Sequence, residues 1–140
     1  LIRAMVAAFA ESGEVNVLAS GANWCWPAVL RELFVPRGVN LLVAQDTNEF
    51  VNILHQRRVQ TTIVDMDSAA GGLATVRVIR LEYPQVPCIL LATEVPDAVL
   101  AEALRLEVFS VIGKPVDVGI LREQLDRLFV KRYASDLFSV

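Results

Sequence analysis

The chain reads as a doubly wound α/β domain: a five-stranded parallel sheet with helices on both faces, preceded by an N-terminal helix. Three observations predict it. Short apolar runs alternate with amphipathic segments along residues 14–131. The runs are apolar throughout rather than at every second position, as strands covered on both faces require. Gly or Pro punctuates most of the junctions, and right-handed crossovers leave few ways to wind such a chain.

Each element has a local reason. Residues 14–20, "EVNVLAS", form a first strand ending in small residues. "WPAVLRELFVPRG" follows as a helix, with Asn23 as N-cap and Pro27 in the first turn, where its missing N–H costs nothing. Gly38 releases the chain into the strand 39–44. "DTNEFVNILHQRR" is a helix capped by Asp46 or Thr47, with Phe50, Val51, Ile53 and Leu54 as its apolar face. "VQTTIVDM" is the third strand, and "GLATVRVIRLEY" a helix with Leu73, Val76 and Ile79 inward, stopped by Pro84. "PCILLAT", "PDAVLAEALRLE" and "VFSVIG" give a strand, a helix and the fifth strand. The last helix covers "DVGILREQLDRLFVKRYASDLF", with Ile120, Leu121, Leu125 and Leu128 on one side.

Composition narrows the function classes. One domain accounts for 140 residues. Apolar residues make up 54% and the mean hydropathy is +0.47, yet no run approaches the roughly 18–20 residues that span a bilayer. A net charge of −3 gives no electrostatic case for nucleic acid; the basic cluster His55–Arg58 reads as the solvated end of a helix. Cys25 and Cys88 lie far apart and outside any CxxC or Cys/His pattern, so a reduced, cytoplasmic protein with no zinc site is expected. Residues 1–13 read as an amphipathic helical extension rather than a signal peptide, since Arg3 is their only basic residue and Glu11 interrupts them.

In an open parallel sheet, functional groups gather at the carboxyl ends of the strands. Those ends are Ser20-Gly21, Ala44-Gln45, Asp65-Met66-Asp67, Ala92-Thr93 and Gly113-Lys114-Pro115. The glycine pair Gly71-Gly72 lacks a phosphate-binding pattern and reads as a tight loop before a helix. Trp24, Cys25 and Trp26 cluster after the first strand, as a partner contact or as packing. Cys25 has no base beside it, because the only histidine, His55, sits on another element.

Over residues 14–131 the order of these motifs resembles the receiver domain of two-component response regulators. "VFSVIGKPVD" is similar to that family's last strand with its Lys-Pro dipeptide, often joined by a cis bond. "TTIVDMD…GGLATVRVIR" is similar to the strand carrying the phosphoryl-accepting aspartate and the helix behind it. The resemblance implies a bacterial signalling role and a flavodoxin-like fold. It places Asp65 at the phospho-acceptor position and Lys114 at the lysine that pairs with a phosphoryl group. It also marks departures: Ser20 and Gly21 stand where the family has two magnesium-holding acids, and Ala92 stands at the switch hydroxyl, with Thr93 one place on. Val111 replaces a usual aromatic residue.

Phosphoryl transfer rests on positioning and on neutralising charge at the transferred oxygens. Magnesium takes oxygen ligands in near-octahedral geometry, usually with one or two carboxylates. Asp65, with a backbone carbonyl or with Asp67, would hold it weakly, so no tightly bound cofactor is expected. Three readings stand. The first is a pseudo-receiver without catalysis, acting as a protein-interaction or dimerisation module toward a protein partner or its own effector domain. The second is a receiver phosphorylated at Asp65 by a histidine kinase. The third is a flavodoxin-like small-molecule binder or enzyme. Asp67 reads as a substitute metal ligand or a solvent-facing acid, and Pro115 as a loop fixer. The expected interaction face combines Leu100, Ala101, Arg105, Val111, Arg122 and Asp126. Residues 132–140 are expected to extend the last helix or begin a linker.

Overall fold

A computed structural model describes residues 14–20, 27–67 and 72–140. Its elements are β1 (Val15–Ser20), α1 (Pro27–Phe34) with a 3-10 turn (Val35–Arg37), β2 (Val39–Ala44), α2 (Thr47–Gln56), β3 (Thr61–Asp65), α3 (Gly72–Glu82), β4 (Cys88–Ala92), α4 (Asp97–Arg105), β5 (Ser110–Gly113) and α5 (Val118–Tyr133). The strands form one sheet in the order β2-β1-β3-β4-β5, every pair parallel. This is the doubly wound fold expected from the alternation. The expected helix over 1–13, Asn23 as a cap and the Trp24-Cys25-Trp26 cluster lie outside the described residues.

Strand parity divides the core in two. Val17, Ala19, Ile63, Ile89, Leu91 and Ile112 turn to one face, where α1 and α5 cover them with Leu30, Phe34, Leu121, Leu125, Leu128 and Phe129. Leu18, Val64, Cys88 and Leu90 turn to the other, under Phe50 and Leu54 of α2, Val76 and Ile79 of α3, and Ala103 of α4. Apolar side chains on both faces are what makes these strands read as continuous hydrophobic runs.

The helix ends follow the expected signals. Asp46 caps α2 by accepting from the Glu49 N–H at 2.8 Å, and Asp117 caps α5 by accepting from the Ile120 N–H at 3.2 Å. Gly38 closes the 3-10 turn at φ 71°, a left-handed conformation that favours glycine. Gly72 opens α3 at φ 48°, and a Cβ there would come within 3.1 Å of the Met66 carbonyl oxygen.

Three expectations need correction. β3 begins at Thr61, not Val59: below it the Gln60 N–H still donates to the Asn16 carbonyl at 3.0 Å, and side chains make the other bonds to Asn16. The Asn16 N–H donates to Gln60 Oε1 at 2.6 Å, and Asn16 Nδ2 to the Arg58 carbonyl at 2.6 Å. Ile120 does not face the core; it is exposed, and Phe129 completes the buried stripe of α5. The last helix does not run on to residue 138. It stops at Tyr133, where Ala134 turns left-handed at φ 50° and the Ser135 N–H reaches back to the Phe129 carbonyl at 3.1 Å.

Phe138 is the reason. It is fully buried on the α1/α5 face, edge-on to Phe129 with ring centroids 4.9 Å apart and to Phe34 at 5.9 Å. Arg37 donates to the Leu137 carbonyl at 3.1 Å, Arg122 donates to the Phe138 carbonyl at 2.8 Å, and the Ser139 hydroxyl donates to Asp126 at 2.6 Å. A continued helix would carry this ring past the pocket between α1 and α5. Removing a fully buried phenylalanine side chain costs ~3–5 kcal/mol, so Phe138→Ala should lower the unfolding free energy in urea by about that amount. A loss under about 1 kcal/mol would show that the tail does not belong to the core.

Candidate functional site

The strand order reverses between β1 and β3, and the carboxyl ends of β1, β3, β4 and β5 meet at that switch point. Asp65 is the last residue of β3 and continues the parity of Thr61 and Ile63; its side chain is 2% exposed. Lys114 follows the end of β5, and its N–H donates to the Ala92 carbonyl at 2.9 Å, which aligns it beside β4. The Lys114 ammonium then lies 3.0 and 2.9 Å from the two carboxylate oxygens of Asp65. The Lys114–Pro115 peptide bond is cis.

Ser20 ends β1 and is buried. Its Oγ accepts the Asp65 N–H at 2.9 Å, continuing the β1–β3 pairing by one side-chain bond beyond Ala19 and Ile63. Gly21, which completes the expected pocket, lies outside the described residues. Ala92, at the end of β4, is buried and carries no hydroxyl. Thr93, one residue on, supplies one.

Asp67 is the residue whose placement most changes the picture. Its N–H donates to Asp65 Oδ1 at 2.9 Å, folding the turn after β3 back over the acid. Its Oδ2 accepts from the Thr93 hydroxyl at 2.8 Å, the Thr93 N–H at 3.3 Å and Lys114 at 3.3 Å. The side chain is 49% exposed, but the acid is not simply solvent-facing. The hydrogen bond from Thr93, with Lys114 beside it, holds the Asp67 carboxyl below its ordinary 3.8. Burial alone would pull the Lys114 ammonium down; its hydrogen bonds to Asp65 and Asp67 outweigh that and leave it above its ordinary 10.5.

Among the described residues no group of three or more His, Cys, Asp or Glu side chains could hold a metal ion. At β1, where a second carboxylate would complete a magnesium site, a serine hydroxyl is committed to the backbone of β3. Both oxygens of Asp65 face an ammonium. Among the described residues, the carboxylates of Asp65 and Asp67 are both contacted by Lys114 at this end of the sheet.

The remaining candidates fall elsewhere. Leu100, Ala101 and Arg105 are exposed on α4 and Val111 is half-buried on β5, where β5 forms one edge of the sheet. Arg105 is paired to Glu102 at 2.7 Å, and Glu102 also takes Arg77 of α3 at 3.2 Å. Arg122 and Asp126, on α5, are engaged by the carbonyl of Phe138 and the hydroxyl of Ser139. His55 to Arg58 are exposed, as a solvated helix end should be. Burial pushes the Cys88 thiol up to about 11, a packing residue rather than a nucleophile. Sequence reasoning missed the bond between Asp67 and Thr93, since no spacing rule links a turn after β3 to a turn after β4.

Lys114 neutralises a buried carboxylate, so removing it should destabilise strongly. Breaking a buried pair by deleting one partner costs ~3–5 kcal/mol, which Lys114→Met should show in urea unfolding at neutral pH. The double variant Asp65→Asn, Lys114→Met should recover most of the loss. Because the folded lysine sits above 10.5, the difference between wild type and Lys114→Met should be full below that pH and shrink as pH rises through the folded value. An equal deficit at pH 8 and well above pH 11 would contradict the pairing.

Comparison with known proteins identifies the family to which this fold belongs. The family model for the response regulator receiver domain matches residues 27–126. No curated protein matches the chain. Among solved structures, the signal receiver domain of an HD domain-containing protein from Pseudomonas fluorescens Pf-5 is 21% identical with a TM-score of 0.76, covering 87% of this chain and 99% of that one. A CheY-like response regulator receiver domain protein from Methanospirillum hungatei JF-1 is 12% identical with a TM-score of 0.77, covering 86% and 98%. A two-component response regulator from Clostridium difficile is 15% identical with a TM-score of 0.75, covering 87% and 100%. At these identities the structures show the shared fold, while the family model spans well over half of the chain. The chain belongs to the response regulator receiver domain family.

Proposed function

We propose that this receiver domain works as a pseudo-receiver, a protein-interaction module in two-component signalling whose site is held by internal ion pairs. The observation that carries this reading is at the end of β1. Ser20 Oγ accepts the Asp65 N–H at 2.9 Å, in the place where a receiver needs a carboxylate for its metal. Asp65, Lys114, Ser20, Ala92, Thr93 and Pro115 then serve as a structural pocket rather than a catalytic one, and Asp67 as its closing strap. The partner is a protein or an effector domain of the same polypeptide.

The α4–β5 side supports the interaction role. Leu100 is 40% and Leu104 68% exposed, with Ala101 and Arg105 beside them and the open edge of β5 adjacent. Arg122 and Asp126 are engaged by the tail, and the proposed face is centred on α4 and β5. If it pairs two copies, sedimentation at micromolar concentration should find a dimer and Leu104→Arg a monomer. An unchanged sedimentation coefficient in that variant would remove this face from the proposal.

A second reading keeps one specific support: Asp65 and Lys114 are 2.9 Å apart, as a phosphorylatable acid and its counter-charge would be. Intact mass after incubation with magnesium and acetyl phosphate separates the two. The pseudo-receiver should gain no phosphoryl mass and should bind magnesium only in the many-millimolar range. Stoichiometric phosphorylation that disappears in Asp65→Asn would overturn it and bring in a histidine kinase as partner.

A further inference from the structure

Three donors converge on one oxygen of Asp67: the hydroxyl of Thr93 at 2.8 Å, the N–H of Thr93 at 3.3 Å and the ammonium of Lys114 at 3.3 Å. A half-exposed carboxylate on a turn can be satisfied by water alone. This one is instead gripped from the β4–α4 junction and from the end of β5. The grip sits at the mouth of Asp65, since the same lysine contacts both carboxylates and the Asp67 N–H is bonded to Asp65. A cation, a hydroxyl and a backbone N–H aimed at a single anionic oxygen form an oxyanion site. The oxygen of a carboxylate and that of a tetrahedral oxyanion accept the same donors, so the two compete for one place.

We propose that Asp67 fills, from within the chain, an oxyanion site built by Lys114 and Thr93, and thereby fastens the β4–α4 junction over Asp65 and keeps phosphate-class anions out. The occupant is part of the sequence, so the closed arrangement needs no ligand, metal or covalent group. Removing the carboxylate empties the site while leaving its donors in place. It also takes one negative charge from beside Lys114, and both effects favour an incoming oxyanion. The proposal deepens the pseudo-receiver reading and rests on it, because a site worked by a phosphoryl group could not keep its oxygen position permanently filled.

The test titrates inorganic phosphate into wild type, Asp67→Ala and the double variant Asp67→Ala, Lys114→Met, following the amide resonances of Thr93 and Lys114. Phosphate should bind Asp67→Ala at least tenfold more tightly than wild type, and the double variant should lose that gain. In Asp67→Ala without phosphate, the Thr93 amide should exchange with solvent at least fivefold faster. If Asp67→Ala fails to fold, Thr93→Val serves instead, with the Asp67 carboxyl then titrating closer to 3.8. Phosphate affinity and Thr93 exchange both within twofold of wild type would overturn the proposal, as would a gain that survives loss of Lys114 or an Asp67 titration unmoved in Thr93→Val. None of these readouts depends on the phosphodonor result. Wild type that takes a phosphoryl group would sink the underlying reading, whereas unresponsive Asp67 variants in a protein that does not would sink the fastening alone.

Discussion

One ammonium holds the carboxyl end of the sheet together. Lys114 contacts both oxygens of Asp65 and the outer oxygen of Asp67, so a single positive charge serves two carboxylates. In a largely buried setting that imbalance has to be spread over dipoles. The Asp67 N–H on Asp65 and the Thr93 hydroxyl and N–H on Asp67 do this. Buried Asp65 is not tolerable there without such donors, half-exposed Asp67 is held by them rather than by water alone, and the donors come from three different strand ends. The constraint therefore acts on the fold as much as on the site: β3, β4 and β5 must end level for one lysine to reach both acids.

Strand parity makes this arrangement available. Each central strand sends alternate residues to opposite faces, and the last residue of each emerges where the helices no longer cover the sheet. Ser20, Asp65 and Ala92 are the terminal residues of β1, β3 and β4. What distinguishes this chain is the chemistry chosen for those places. A hydroxyl at β1 joins the backbone ladder, and a methyl at β4 moves the nearest hydroxyl one residue outward. A threonine displaced in this way reaches Asp67 in the turn after β3. The two places are linked through geometry: the hydroxyl at the end of β1 accepts from the Asp65 N–H, and the hydroxyl just past β4 donates to Asp67.

The fold was legible because its signal is redundant. Five apolar runs, their intervening helices, the cap at Asp46 and the break at Gly38 each point to the same winding, and an error in one boundary leaves the others intact. The pairing of Asp65 with Lys114 was legible through the order of motifs. The bond between Asp67 and Thr93 was not, because it joins two turns whose approach is set by tertiary packing. The tail misled for a related reason. Tyr133, Leu137 and Phe138 have helical spacing, but a free hydrophobic slot between Phe34 and Phe129, with Arg37 and Arg122 ready to bind the carbonyls, outweighs one more turn of exposed helix. Local periodicity states what a segment can form, while the vacancy it can fill decides what it does form.

That tail also decides which side of the molecule is left open. By returning over the α1/α5 surface it buries Phe138 and commits Arg122 and Asp126 to bonds within the chain. The α4–β5 side has no such cover among the described residues: Leu100 and Leu104 stay exposed on α4, and the outer edge of β5 has no neighbouring strand. The turn fastened by Asp67 and Thr93 leads directly into α4, which begins four residues after Thr93 at Asp97. The exposed leucines are thus carried by the element whose entry the ion-pair site holds. The bonds between Asp67 and Thr93 thus tie the start of that surface to the carboxyl end of β3.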